Sequence, residues 1–252
     1  MQKVTSLLLL AVLLLATGTA PALAQNDNWG LSFPNPGEKP QGNATPEFLL
    51  EHDAYFIDPT TEKIIYLTFD AGYENGYTAP ILDVLRAAQV PAAFFLVGTY
   101  IRDHPELVQR MVQEGHTIGN HTMTHPDMSA ISDLERFKKE LAETEGHYEA
   151  AIGEPMPKLY RPPKGKYSVD NLKMAKDLGY TTLFWSLAYV DWNVDAQPSK
   201  SQAFAKLIPR IHPGAILMLH STSATNAEIM PELIQKYQDL GYKFRCITEL
   251  AT

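Results

Sequence analysis

A single cysteine among 252 residues excludes an internal disulfide, whatever the redox state of the compartment. Cys246 sits in the apolar pattern Phe244-Arg-Cys-Ile247, which predicts a buried strand residue rather than a nucleophile. Basic residues are also few. Against 29 Asp and Glu there are 21 Lys and Arg, a formal net charge of −8, which argues against nucleic acid or an anionic membrane surface as partner. After the first 24 residues no apolar run is long enough to cross a bilayer. No G-x-S-x-G elbow is present, so nothing points to serine hydrolysis on an α/β scaffold.

The one long apolar run is N-terminal. Lys3 stands in a short basic region, Leu7 to Ala16 are apolar, and Ala22-Leu23-Ala24 forms an A-x-A cleavage pattern before Gln25. Residues 1–24 therefore read as a cleaved secretory signal, which addresses the mature chain to the outside or the cell wall with no stable membrane insertion. The run is short for a span, and no Cys follows it for lipid attachment. Loss of Lys3 with the leader takes the formal net charge from −8 to −9.

Residues 25–61 are rich in Asn, Pro and Gly, as in Asn35-Pro36-Gly37, and read as an extended N-terminal arm wrapping the domain that follows. Residues 62–252 fit a single domain with ample core, since 45% of the chain is hydrophobic. β-rich runs near 64–69, 92–97, 116–119, 158–160, 181–186, 215–219 and 243–248 alternate with amphipathic helical patterns. The longest helix opens on Ser132-Asp-Leu-Glu135 as a capping box and carries Leu134, Phe137, Leu141, Tyr148 and Ile152 on one stripe. Others start at Thr78, at Asp103 with Pro105, and at Ser168. Strict β-α alternation predicts parallel strands with helices outside. Reactive side chains fall at strand ends throughout, which favours a distorted (β/α)7 barrel over a doubly wound sheet.

The chemistry gathers around His121-Thr-Met-Thr-His125, whose two imidazoles are spaced to meet one metal ion, although a surface pair has the same spacing. Asp70 ends the apolar strand Ile64–Phe69 and needs a fixed partner; Arg161 is the candidate, either as the orienter of a general base or as half of a plain buried ion pair. His220 ends Ala215–Leu219. With Asp191 on one ring nitrogen it becomes a proton donor rather than a core histidine. A metal, a carboxylate base and an imidazolium acid suit amide hydrolysis, because an amine leaves only once protonated. Tyr73, Glu74 and Asn75 follow Asp70 and either touch a ligand or form a turn. His52, His104, His116, His147 and His212 have no partner motif and read as surface or core residues.

Thr68-Phe-Asp70, His121-x-x-x-His125, Arg161-Pro-Pro-Lys-Gly165, Asp191-Trp192 and Leu217-Met-Leu-His220, in this order, resemble the motifs of the polysaccharide deacetylases, the NodB-homology or carbohydrate esterase family 4 domain. The resemblance covers about residues 62–250. Tyr66 to Tyr77, with Phe184-Trp-Ser and Val190-Asp-Trp192, look most like the branch that deacetylates N-acetylmuramic acid in peptidoglycan on the way to muramic δ-lactam. It implies Asp70 as base, His220 as acid, Arg161 tethering the base, Asp191 tuning the acid, and His121 with His125 on the metal. It also implies Trp192 and Leu219 around the acetyl methyl, and a backbone N–H in the Lys164-Gly165 turn on the oxyanion.

The family pattern has a second Asp directly after the base as a third metal ligand, and this chain has Ala71. Weak binding by two imidazoles plus water follows, with Zn²⁺ the default and Mn²⁺, Mg²⁺, Co²⁺ or Ca²⁺ as alternatives. Peptidoglycan glycan strands are the expected partner of a monomer. Competing readings are a deacetylase of chitin-like or N-acetylglucosamine polymers or of acetylxylan, and an inactive sugar-binding homologue.

Overall fold

A computed structural model describes residues 27–250; the leader expected over residues 1–24 lies outside the described residues. The chain first lays down three two-residue strands, β1 (Asp27–Asn28), β2 (Leu31–Ser32) and β3 (Gln41–Gly42). A short helix α1 (Pro46–Glu51), capped by the Thr45 hydroxyl and opened by Pro46, leads into β4 (Ala54–Tyr55). Neither α1 nor β4 has a periodic signature, and neither is anticipated from the sequence.

The regular alternation follows: β5 (Ile64–Ala71), α2 (Thr78–Ala88), β6 (Ala92–Leu96), α3 (Gly98–Asp103), α4 (Pro105–Gln113), β7 (Thr117–Asn120) and α5 (Leu134–Ile152). It continues with β8 (Leu159–Tyr160), β9 (Lys166–Tyr167), α6 (Val169–Asp177), β10 (Thr181–Leu183), α7 (Lys200–Leu207), β11 (Ala215–His220), α8 (Ala224–Asp239) and β12 (Lys243–Phe244). All seven expected strands are present.

The main sheet runs β11-β5-β6-β7-β8-β10-β4, with β12 also on β5, and every pairing is parallel. Its two ends meet beyond β10. The Ser186 N–H donates to the Ile216 carbonyl at 3.0 Å and the Met218 N–H to the Leu187 carbonyl at 2.9 Å, joining that stretch to β11. A distorted (β/α)7 barrel in one domain results.

Its core has two layers, sorted by the period of two along each strand. Ile64 and Tyr66 of β5 meet Ala93, Phe95, Leu183 and Ile216 inside the barrel. Ile65, Leu67, Phe69 and Ala71 face outward and pack with Phe94, Leu96, Leu217 and Leu219 against the helices. All eight residues of β5 are buried, as a parallel strand covered on both faces requires.

Local details depart from expectation in two places. The cap of α5 is Asp133, whose carboxylate accepts from the Arg136 N–H, one residue after Ser132. That register turns Phe137, Leu141 and Tyr148 inward and leaves Leu134 at 46% exposure. Cys246 is only half-buried, because β12 ends at Phe244 and Cys246 opens a 3-10 turn instead. In the arm, Trp29 stacks on Phe184 with centroids 4.7 Å apart and shares a core cluster with Phe56, Leu49 and Tyr167.

Candidate active site

The strand termini on the C-terminal side of the sheet deliver the polar residues to one place. Register pairs His220 of β11 directly with Asp70 of β5. Phe95 follows Asp70 across the next ladder, and the His121 N–H donates to the Leu96 carbonyl at the end of β6. Arg161 follows β8, its N–H donating to the Asn120 carbonyl at 3.0 Å. Asp70, His121, His125, Lys164, Trp192 and His220 line one cleft of roughly 640 Å³. Tyr73 and Gly165 line it as well.

Arg161 is fully buried and holds Asp70 from behind. One guanidinium nitrogen donates to Asp70 Oδ1 at 2.7 Å and to Thr68 Oγ1 at 2.9 Å. The remaining donors reach the carbonyls of Leu183 at 2.9 Å and Phe184 at 3.2 Å, and the guanidinium lies 4.1 Å from the Phe95 ring centroid. Burial alone would raise the Asp70 carboxyl, but Arg161, followed by His121 and His220, outweighs it and holds the group below its ordinary value. Asp70 is therefore a fixed carboxylate with Oδ2 open to the cleft, 3.8 Å from His121 Nε2.

His220 is set from the opposite side. Its Nδ1 lies 2.7 Å from Asp191 Oδ1, while Asp191 Oδ2 accepts from the His220 N–H at 2.8 Å and from Asn226 Nδ2 at 2.6 Å. Burial pulls the imidazole down, yet Asp191 overrides it and raises His220 above its ordinary value. A hydrogen bond to Nδ1 leaves Nε2 as the nitrogen that serves the cleft.

The two remaining imidazoles behave oppositely. Burial lowers His121, and burial together with His121 pushes His125 down to about 4. Both are neutral at physiological pH, the form in which imidazole binds a metal. His121 Nδ1 is 2.8 Å from the Arg161 carbonyl, which fixes the tautomer with Nε2 as acceptor, and the two rings are 4.9 Å apart. Thr122 and His125 take left-handed backbone with φ of 69° and 58°, costly for a β-branched residue. Asn120 Oδ1 accepting from Thr122 N–H, and Thr122 Oγ1 from His125 N–H, hold this turn.

These residues fit a divalent ion with two protein nitrogens. Among the described residues no group of three His, Cys, Asp or Glu is placed to hold one. Ala71, in the position of the expected third ligand, points into the outer core layer.

The family model described as Polysaccharide deacetylase matches residues 57–183. The chain belongs to the polysaccharide deacetylase family. It is 40% identical over 244 residues to the peptidoglycan-N-acetylmuramic acid deacetylase PdaA of Bacillus subtilis strain 168, covering 95% of this chain and 92% of that one. A solved structure of B. subtilis PdaA, a family 4 carbohydrate esterase, superposes with a TM-score of 0.85 at 38% identity, over 90% of this chain and 97% of that chain. A peptidoglycan-N-acetylglucosamine deacetylase of Bacillus cereus is 36% identical over 203 residues, 76% of this chain and 90% of its own.

In this polysaccharide deacetylase one expected residue stands elsewhere. Leu219, assigned to the acetyl pocket, is fully buried among the outer core side chains, and Met218 lines the cleft instead. The period of two decides it: if His220 faces the cleft, so does residue 218. Glu74 and Asn75 shape the loop after Asp70. Glu74 accepts from the N–H groups of Gly76 and Thr78 and from the Tyr100 hydroxyl, and Asn75 donates to the Thr222 carbonyl. Tyr73 alone of the three lines the cleft. Sequence reasoning also misses Trp185, a cleft wall, and Asn226, which binds Asp191 and takes a bond from the Tyr189 hydroxyl at 2.5 Å.

Proposed function

We propose that this polysaccharide deacetylase is an exported enzyme that hydrolyses the acetamide of peptidoglycan amino sugars, N-acetylmuramic acid first, as a step toward muramic δ-lactam. The observation that carries this reading is the direct register of Asp70 and His220, a lowered carboxyl and a raised imidazole on neighbouring strands above one cleft. The 40% identity to a deacetylase named for N-acetylmuramic acid supports the choice of sugar. The leader pattern in residues 1–24 supports export to the cell wall.

The Asp70 carboxylate accepts a proton from the attacking water while the oxygen adds to the acetyl carbonyl carbon. Arg161 keeps the carboxylate ionised and aimed. The backbone at Lys164, left-handed at φ 60°, offers an N–H toward the carbonyl oxygen as it becomes an oxyanion. The His220 imidazolium then gives its Nε2 proton to the departing nitrogen. The C–N bond breaks, leaving acetate and a free amine, and Asp191 stabilises the imidazolium until that transfer. His121 and His125 would hold a divalent ion, Zn²⁺ by default, which when bound polarises the carbonyl and the water. Trp192 and Met218 flank the acetyl methyl.

Acetate release from peptide-stripped glycan strands tests this, with mass spectrometry to show which sugar loses its acetyl group. Asp70→Asn and His220→Ala are each expected to lower kcat by about 10²–10⁴-fold. Equal acetate release by wild type and His220→Ala would remove the proposed acid. Acetyl loss from glucosamine alone would favour the second reading, an N-acetylglucosamine deacetylase, which the B. cereus relative supports. Tight glycan binding without acetate at any concentration of these ions would instead indicate an inactive homologue.

A further inference from the structure

Beside the catalytic cleft lies a second, more open groove of roughly 790 Å³. The two share Trp185, Trp192 and Met218, so they lie side by side along these side chains. The far wall belongs to α7 and the chain after it, with Lys206 and Arg210. Among the described residues no Asp or Glu lines the groove. In a chain with 29 acidic and 21 basic residues, a wall with two cations and no carboxylate stands out.

Both cations differ from their neighbours on the same surface. Lys200, at the other end of α7, pairs with Glu232, and so does Lys236. By contrast, Lys206 and Arg210 enter no ion pair among the described residues. Arg210 is half-buried with its guanidinium 4.3 Å from the centroid of the Phe33 ring, a stacking contact that fixes the group and leaves its edge donors open. Trp192 and Val190, at 53% and 59% exposure, give the rim an exposed apolar surface suited to the face of a sugar ring.

We propose that this groove is an anion subsite in which Arg210 and Lys206 bind the carboxylate of the lactyl ether on muramic acid. The inference rests on the N-acetylmuramic acid reading above and gives it a physical cause, since N-acetylglucosamine carries no carboxylate. Phe33 comes from the N-terminal arm, so the arm helps to build the specificity of a site whose chemistry lies in the barrel.

Equilibrium binding of N-acetylmuramic acid and of N-acetylglucosamine, followed by the fluorescence of the cleft tryptophans, tests the subsite without requiring turnover. Wild type is expected to favour the muramic sugar by about five- to tenfold at low salt, and to lose most of that preference at high ionic strength. Arg210→Gln and the solvent-facing Lys206→Gln should each shrink the ratio toward one, Arg210→Lys should restore part of it, and the methyl ester of the lactyl group should bind like the neutral sugar. A ratio unchanged in both glutamine variants, or insensitive to salt and to esterification, overturns the subsite. The outcomes for the two readings are separable: binding preference without acetate release retains the subsite and removes the deacetylase reading, and acetate release from muramic acid without charge-dependent preference does the reverse.

Discussion

In the proposed mechanism Asp191 and His220 set the pH response of the site. That mechanism needs His220 protonated, so activity is expected to fall as pH rises through its folded value. That value lies above 6.5 because Asp191 outweighs the burial that acts against the charge. Asp191→Asn removes the lift and leaves the burial, so the alkaline limb of kcat/KM should move below 6.5, with kcat lower by about ten- to hundredfold. A pH–rate profile of the two proteins checks this; an unmoved limb would mean that another group titrates there. Part of this pair is legible in the sequence, because both residues follow apolar strands. Asn226 is not, since a helix residue that binds a carboxylate 35 positions earlier leaves no local mark.

Strands carry most of what the sequence reveals. β5 and β11 read correctly because, within a β-α alternation, a continuous apolar run closed by one charged residue fits a buried parallel strand that ends at a polar cleft and little else. Applying the period of two to β11 would also have moved the cleft residue from Leu219 to Met218. The two-residue strands of the arm escape notice, being too short for any period, and they hold a turn of the site. The Trp29 N–H donates to the Gly165 carbonyl at 2.8 Å, and β1 pairs with β9 immediately after it. Gly165 has φ +65°, and a Cβ there would lie 2.6 Å from Trp185 and 3.0 Å from Trp29. Gly165→Ala is therefore expected to cost about 1–3 kcal/mol and to displace Trp185, seen as a lower melting temperature and a raised KM.

The whole molecule responds to acid through its buried imidazoles. His212 is fully enclosed, with Nδ1 on the Arg210 carbonyl and Nε2 on the Ser186 hydroxyl, and burial pushes it down to about 4. The unfolded chain takes up this proton near 6.5, so between 6.5 and about 4 the unfolded state binds more protons and stability falls as pH falls. For His212 alone the gap amounts to about 3 kcal/mol at the lower end. Urea denaturation across that window should show a declining midpoint, and His212→Gln, though less stable at neutral pH, should show a flatter dependence. His116, lowered by the same burial, adds to the slope in wild type and variant alike.

Because Asp70 and His220 are neighbours across one hydrogen-bonded ladder, the space between them is fixed by the backbone and cannot stretch for a larger guest. Accommodation has to come from segments around the mouth that carry none of the catalytic groups: the loop of Tyr73, the stretch from Asn193 to Pro198 and the wall of Lys206 and Arg210. Exchanging those segments among relatives should therefore retune which glycan is accepted while the hydrolytic centre stays intact.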